Sequence, residues 1–166
     1  MKRSFAISLT ALLPLLTASA QDWAKVRLEK SLRHLEWVKV KHDQREVNCF
    51  VAYPEVKDKA TAVIVIHEIF GLTDWVRSVA DRLAEAGYIA ITPDLLSGSA
   101  PGGGGTAELG GSDAVRKAIA SLPPEQITAD LNAVAKGSSP LRHGGAEVLA
   151  LCPLPPLVSH SGGAPP

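Results

Sequence analysis

The residues with chemistry to offer stand where an apolar run stops. Val63-Ile64-Val65-Ile66 is followed at once by His67 and Glu68, then by Ile69, Phe70 and Gly71. A buried strand ending this way places ionisable groups at its carboxyl end, the rim at which open α/β sheets bind ligands. A carboxylate there is suited to a perturbed pKa and to proton transfer, and the N–H groups of the adjoining turn can face a developing oxyanion. Each residue also has a structural reading: Glu68 as a solvated or ion-paired loop residue, and His67 as a strand-end histidine with its hydrogen bonds met. Asp74 and Asp94, on the same stretch, read as a helix-capping and a strand-end residue.

The elements that would position these groups follow from periodicity. Consecutive β-branched residues in "TAVIVIH" predict an inner strand covered on both faces, as in a parallel sheet. Thr73 or Asp74 can cap a helix whose Val76, Val79, Ala80 and Leu83 form one stripe, and Gly87 supplies a left-handed stop. "YIAIT" is a second buried strand, closed by Pro93. Strand, helix and strand at this spacing make a right-handed βαβ unit, so the class is α/β. Upstream, "EWVKVK" and "VNCFVAY" alternate on either side of "HDQR", the pattern of two half-buried strands joined by a tight turn. Leu28, Leu32 and Leu35 predict an amphipathic helix over Trp23 to Leu35. Downstream of a Gly-rich loop, Asp113 to Leu122 and Pro124 to Ala135 read as helices.

With 166 residues, 46% apolar and 17 basic against 17 acidic side chains, the composition is that of one folded domain. Lys2 and Arg3, the uncharged stretch Ser4 to Leu16, and Ala18-Ser19-Ala20 predict a secretory signal peptide over 1–20. The mature chain would begin at Gln21 and be periplasmic or secreted. The uncharged stretch, interrupted by Pro14, is shorter than the ~20 residues of a membrane span, so no membrane contact is expected after cleavage. Losing Lys2 and Arg3 leaves fifteen basic against seventeen acidic residues, a net of −2, which argues against nucleic acid as a partner. No Cys-x-x-Cys or His-x-x-x-His pair supports a metal, no cofactor is implied, and Cys49 and Cys152 are expected to stay unpaired. The run Gly102 to Gly105 has no Lys-Ser/Thr after it and no strand just before it, so it reads as a surface loop and not a phosphate cradle.

His67-Glu68-Ile69-Phe70-Gly71, the following "LTDWVRSVADRLAEAGY" and the strand end "PDLLSG" resemble the dienelactone hydrolase family of α/β-hydrolases, from about Glu36 to Ala135. The resemblance implies the N-terminal part of an α/β-hydrolase sheet: a hairpin plus a βαβ unit with flanking helices. It implies a hydrolase of lactones or small esters that forms an acyl-enzyme on a cysteine in a Gly-x-Cys-x-Gly turn, with an aspartate and a histidine further along. Glu68 would then help to activate the thiol, and the Ile69 N–H would contribute to the oxyanion hole.

One feature of the family pattern is missing. No Ser or Cys among the 166 residues has glycine two positions before and two after it, so there is no nucleophile elbow. Cys152 precedes Pro153, His143 and His160 lie in segments without periodicity, and Cys49 falls on the wrong strand. Residues 21–135 are therefore expected to be the N-terminal portion of the domain, cut short before the nucleophile strand and inactive by itself. Residues 136–166 read as an unrelated Pro/Gly-rich tail without packed structure, of the kind a frameshift past codon 135 yields. The edge left bare on the "VIVI" strand invites self-association. The rival expectation is a noncatalytic exported binding or partner protein that completes its sheet with another chain.

Overall fold

A computed structural model describes residues 20–56 and 60–137; the expected leader, but for Ala20, and the chain beyond Gly137 fall outside them. The helices are α1 (Ala20–Glu29), α2 (Asp74–Glu85), α3 (Ser112–Ala120) and α4 (Pro124–Gly137). The strands are β1 (Leu35–His42), β2 (Arg45–Ala52), β3 (Ala62–Ile64) and β4 (Ile89–Pro93), in the spatial order β1-β2-β4-β3. β2 lies antiparallel to both β1 and β4, with Trp37 opposite Phe50 and Phe50 opposite Thr92, while β3 runs parallel to β4 with Val63 opposite Ala90.

The unbroken apolar runs in β3 and β4 follow from cover on both sheet faces. Val63, Val65, Phe50 and Ala90 meet Val76, Ala80 and Ala84 of α2 in one core. Ala62, Ile64, Ile89 and Ile91 join Val47, Cys49, Val51 and Val134 of α4 in the other. A strand whose odd and even residues both lose water shows no alternation. α2 opens on Thr73, whose hydroxyl accepts from the Val76 N–H, and the following turn takes Gly87 at φ 95°. The β1–β2 hairpin closes through Asp43 at φ 49°, a conformation an aspartate tolerates better than most residues.

Three features depart from the sequence reading. α1 stops at Glu29, Leu35 opens β1, and Leu32 is 90% exposed. The helix is cut by Asp81 on α2, which is fully buried and is reached by the Ser31 hydroxyl at 2.5 Å and the Arg33 guanidinium at 2.6 Å. Burial opposes ionisation of Asp81, yet hydrogen bonds from Arg33 and Ser31 hold its carboxyl below the usual carboxylate range. Second, the inner parallel strand of the described sheet is β4, all five of whose residues are buried, and not β3, which is outermost and has the bare edge expected of the "VIVI" strand. Third, α4 continues through Lys136 and Gly137, which the sequence assigns to the tail. Its Asp130, also fully buried, accepts from Arg45 at 2.9 Å and pairs with His42 at 2.6 Å, fastening α4 to the hairpin.

Candidate active site at the carboxyl ends of β3 and β4

Beyond β3 the Val65 N–H still reaches the Ile91 carbonyl at 2.8 Å, after which the chain leaves the sheet. The Gly71 N–H then donates to the Glu68 carbonyl at 3.0 Å, closing a four-residue turn, with Gly71 at φ 72°. Inside it the Glu68 Oε2 accepts from the Phe70 N–H at 3.1 Å. The Ile69 N–H has no acceptor among the described residues, and the residue is 54% exposed. The turn thus presents the Ile69 N–H as a free backbone donor among the described residues, next to a carboxylate, just beyond the carboxyl end of a parallel strand.

His67 has a different place. It is buried, its Nδ1–H donates to the Glu68 carbonyl at 3.1 Å, and its Nε2 accepts from the Leu95 N–H at 3.1 Å. Burial drives its pKa below the ordinary imidazole value, with the hydrogen bond to Glu68 opposing. Both ring nitrogens are spent on backbone, so the ring ties the end of β3 to the end of β4 as a neutral strut. Asp94 is structural too. Its Oδ1 accepts from the Leu96 N–H at 3.1 Å and the Thr106 hydroxyl at 2.8 Å, and its Oδ2 accepts from the Thr106 N–H at 2.8 Å. Asp74, in the first turn of α2, is paired with Arg77.

Beside the turn lies a cleft of about 270 Å³, lined by Trp37, Asn48, Leu72, Arg77, Asp94 and Glu108 among others. The Arg77 guanidinium stands 5.6 Å from the Trp37 ring centre and 5.5 Å from that of Phe50, a partly desolvated cation over aromatic faces. The Gly-rich loop forms one wall of the cleft, with Gly105 buried. A Cβ on Gly105 would run into the Asp94 carboxylate, so only glycine allows this approach. The sequence marks Glu68 and Ile69 but misses Thr106 and Trp37. The one signal for Thr106 is a glycine run too long for a simple turn.

Cys49 is no part of this site. It lies in the core under α4, fully buried, and burial, followed by the charges of Asp130 and Asp94, pushes its thiol up to about 12. Cys152, His143 and His160 fall outside the described residues. Among the described residues no group of His, Cys, Asp and Glu side chains could hold a metal ion.

The model of the dienelactone hydrolase family matches residues 47–145. A protein of Saccharolobus solfataricus, provisionally named a carboxymethylenebutenolidase, is 34% identical over 109 residues, which cover 66% of this chain and 40% of that protein. A Synechocystis protein with the same provisional name is 35% identical over 98 residues, covering 58% and 39%. Among solved structures, a provisionally assigned dienelactone hydrolase from Klebsiella pneumoniae superposes with a TM-score of 0.57 at 27% identity, over 72% of this chain and 48% of that one. The chain spans about 40% of the length of these curated relatives. The matched segment runs to residue 145, past Ala135, where the resemblance read from the sequence ends.

Proposed function

The chain belongs to the dienelactone hydrolase family, and from that premise we propose that the turn after β3 is the oxyanion side of a site that hydrolyses a lactone or another small ester. The observation that supports this most directly is the Ile69 N–H. It stands at the carboxyl end of β3 without an acceptor among the described residues, in a turn that leads into the cleft through Leu72. In the proposed reaction a cysteine thiolate attacks the carbonyl carbon, and the Ile69 N–H takes up the charge developing on the carbonyl oxygen. Glu68 assists the thiol in losing its proton. Collapse of the tetrahedral species expels the ester oxygen and leaves a thioester, which water cleaves to acid and free thiol.

The attacking thiolate is not Cys49, which burial keeps protonated, and no other Ser or Cys of the 166 residues stands on a nucleophile elbow. The proposal is therefore that these residues carry the oxyanion side and do not turn over an ester unaided. Hydrolysis of p-nitrophenyl acetate tests both halves. The 166-residue protein should match buffer. Turnover well above buffer that Glu68→Ala abolishes would overturn the claim of inactivity, and turnover indifferent to Glu68→Ala would count against the site itself.

A second reading is a noncatalytic exported binding or partner protein, favoured by the side of β3 that carries no strand among the described residues. Size-exclusion chromatography separates the two: a defined dimer or hetero-complex supports the second, a monomer weighs against it. Export is part of both proposals and rests on the pattern of residues 1–20. N-terminal sequencing should read from Gln21; a product still starting at Met1 would remove it.

A further inference from the structure

We infer that Thr106, carried in by the Gly-rich loop, is a positioning residue that holds the Ile69 N–H at its station; the inference rests on the oxyanion role proposed for that turn. Thr106 sits between the turn and Asp94. Its hydroxyl has one proton to give, and it gives it to the Asp94 Oδ1 at 2.8 Å, so a lone pair is left facing the Leu72 N–H at 3.0 Å. Its own N–H is anchored on the Asp94 Oδ2 at 2.8 Å. Asp94 is buried and tied in turn to the Leu96 N–H, so the hydroxyl cannot rotate freely.

Contact with Gly71 sets the other limit. A Cβ on Gly71 would stand 2.5 Å from the Thr106 Oγ1 and 2.7 Å from its Cγ2. The Thr106 side chain thus occupies the space against the left-handed residue that closes the turn. Movement of the turn away from Thr106 breaks the bond to Leu72, and movement toward it meets the hydroxyl and methyl. The turn's entrance is fixed by the His67 ring between Glu68 and Leu95. Ile69 lies between these two fastenings. Its N–H keeps its place without an acceptor of its own, the preorganisation an oxyanion donor requires.

The test uses the 166-residue protein labelled with 15N at isoleucine and leucine, and methylphosphonate as a tetrahedral oxyanion probe. In the unaltered protein the Ile69 amide resonance should move on titration. Thr106→Val keeps the shape but removes the hydroxyl; it should abolish that response and speed exchange of the Leu72 amide about tenfold, the factor expected for one ordinary hydrogen bond. Thr106→Ser should restore both. The β4 amides of Ile89 and Ile91 should be unchanged in every variant. Retention of the Ile69 response in Thr106→Val, or failure of Thr106→Ser to restore it, would overturn the inference. So would faster exchange spread equally over Ile89 and Ile91, which signals loss of fold. A silent Ile69 in the unaltered protein, with local exchange effects intact, would instead refute the oxyanion reading and take the inference with it.

Discussion

Replacing Gly71 by alanine separates backbone strain from the contact with Thr106. Gly71 adopts φ 72°, and left-handed backbone costs a residue with a Cβ about 1–2 kcal/mol. The new methyl would also press on Thr106, which Asp94 holds from behind, and overpacking of that kind costs about 1–3 kcal/mol more. The expected loss is roughly 2–5 kcal/mol, a large part of the about 5–15 kcal/mol that holds a domain together. Gly87 supplies the control. Its φ is positive too, at 95°, yet a Cβ there meets nothing within 4 Å, so Gly87→Ala should carry the backbone cost alone. Urea unfolding followed by circular dichroism is the assay. At slopes of about 1–3 kcal/mol per molar the two midpoints should differ by roughly 1 M, Gly71→Ala being the lower. Coincident midpoints would mean that Thr106 does not press on the turn, and the account of how Ile69 is held would fail with it.

Three further outcomes follow from the same geometry. Burial depresses the His67 pKa, so the unfolded chain binds the extra proton first; stability should fall as pH drops below about 6.5 and level off at the lower folded value, and urea midpoints of His67→Gln should lack that component. An equal slope in both proteins would show that His67 is not the buried neutral strut described. Asp130→Ala leaves Arg45 and His42 without their buried partner and should cost about 3–5 kcal/mol in thermal or urea unfolding; a loss under about 1 kcal/mol would mean that the cluster does not fasten α4 to the hairpin. In Cys152→Ser protein the Cys49 thiol should react with Ellman's reagent only after denaturant is added, and rapid labelling at pH 8 under native conditions would contradict its burial.

Local pattern carried much of the architecture. The alternation around "HDQR" located the β1–β2 hairpin, although only β1 has one exposed face and Cys49 to Ala52 of β2 are buried without a break between β1 and β4; the stripe behind Thr73 specified α2 because a helix repeats its environment every three to four residues. "VIVIHEIFG" located the turn and its carboxylate, since a run this short, β-branched and closed by a glycine suits a strand covered on both sides. What local pattern could not supply were relations between residues far apart in the chain. Asp81 ends α1 through Ser31 and Arg33, fifty and forty-eight positions away, and overrides a leucine spacing that would have carried the helix to Leu35. Thr106 reaches the turn across thirty-four positions, from a loop whose glycines spell only conformational freedom.

By itself, then, the sequence determined which segments lose water on one face or two, where the chain must turn, and that a carboxylate closes the apolar strand. Those are properties of neighbours along the chain, written in side-chain size, branching and polarity. Tertiary structure alone decided that β4 and not β3 is the inner strand of the described sheet, that His67 is consumed as a strut, and that the Ile69 N–H is left without an acceptor among the described residues. Whether a backbone donor is free depends on which distant groups arrive beside it, and that is settled only when the sheet and its loops pack together.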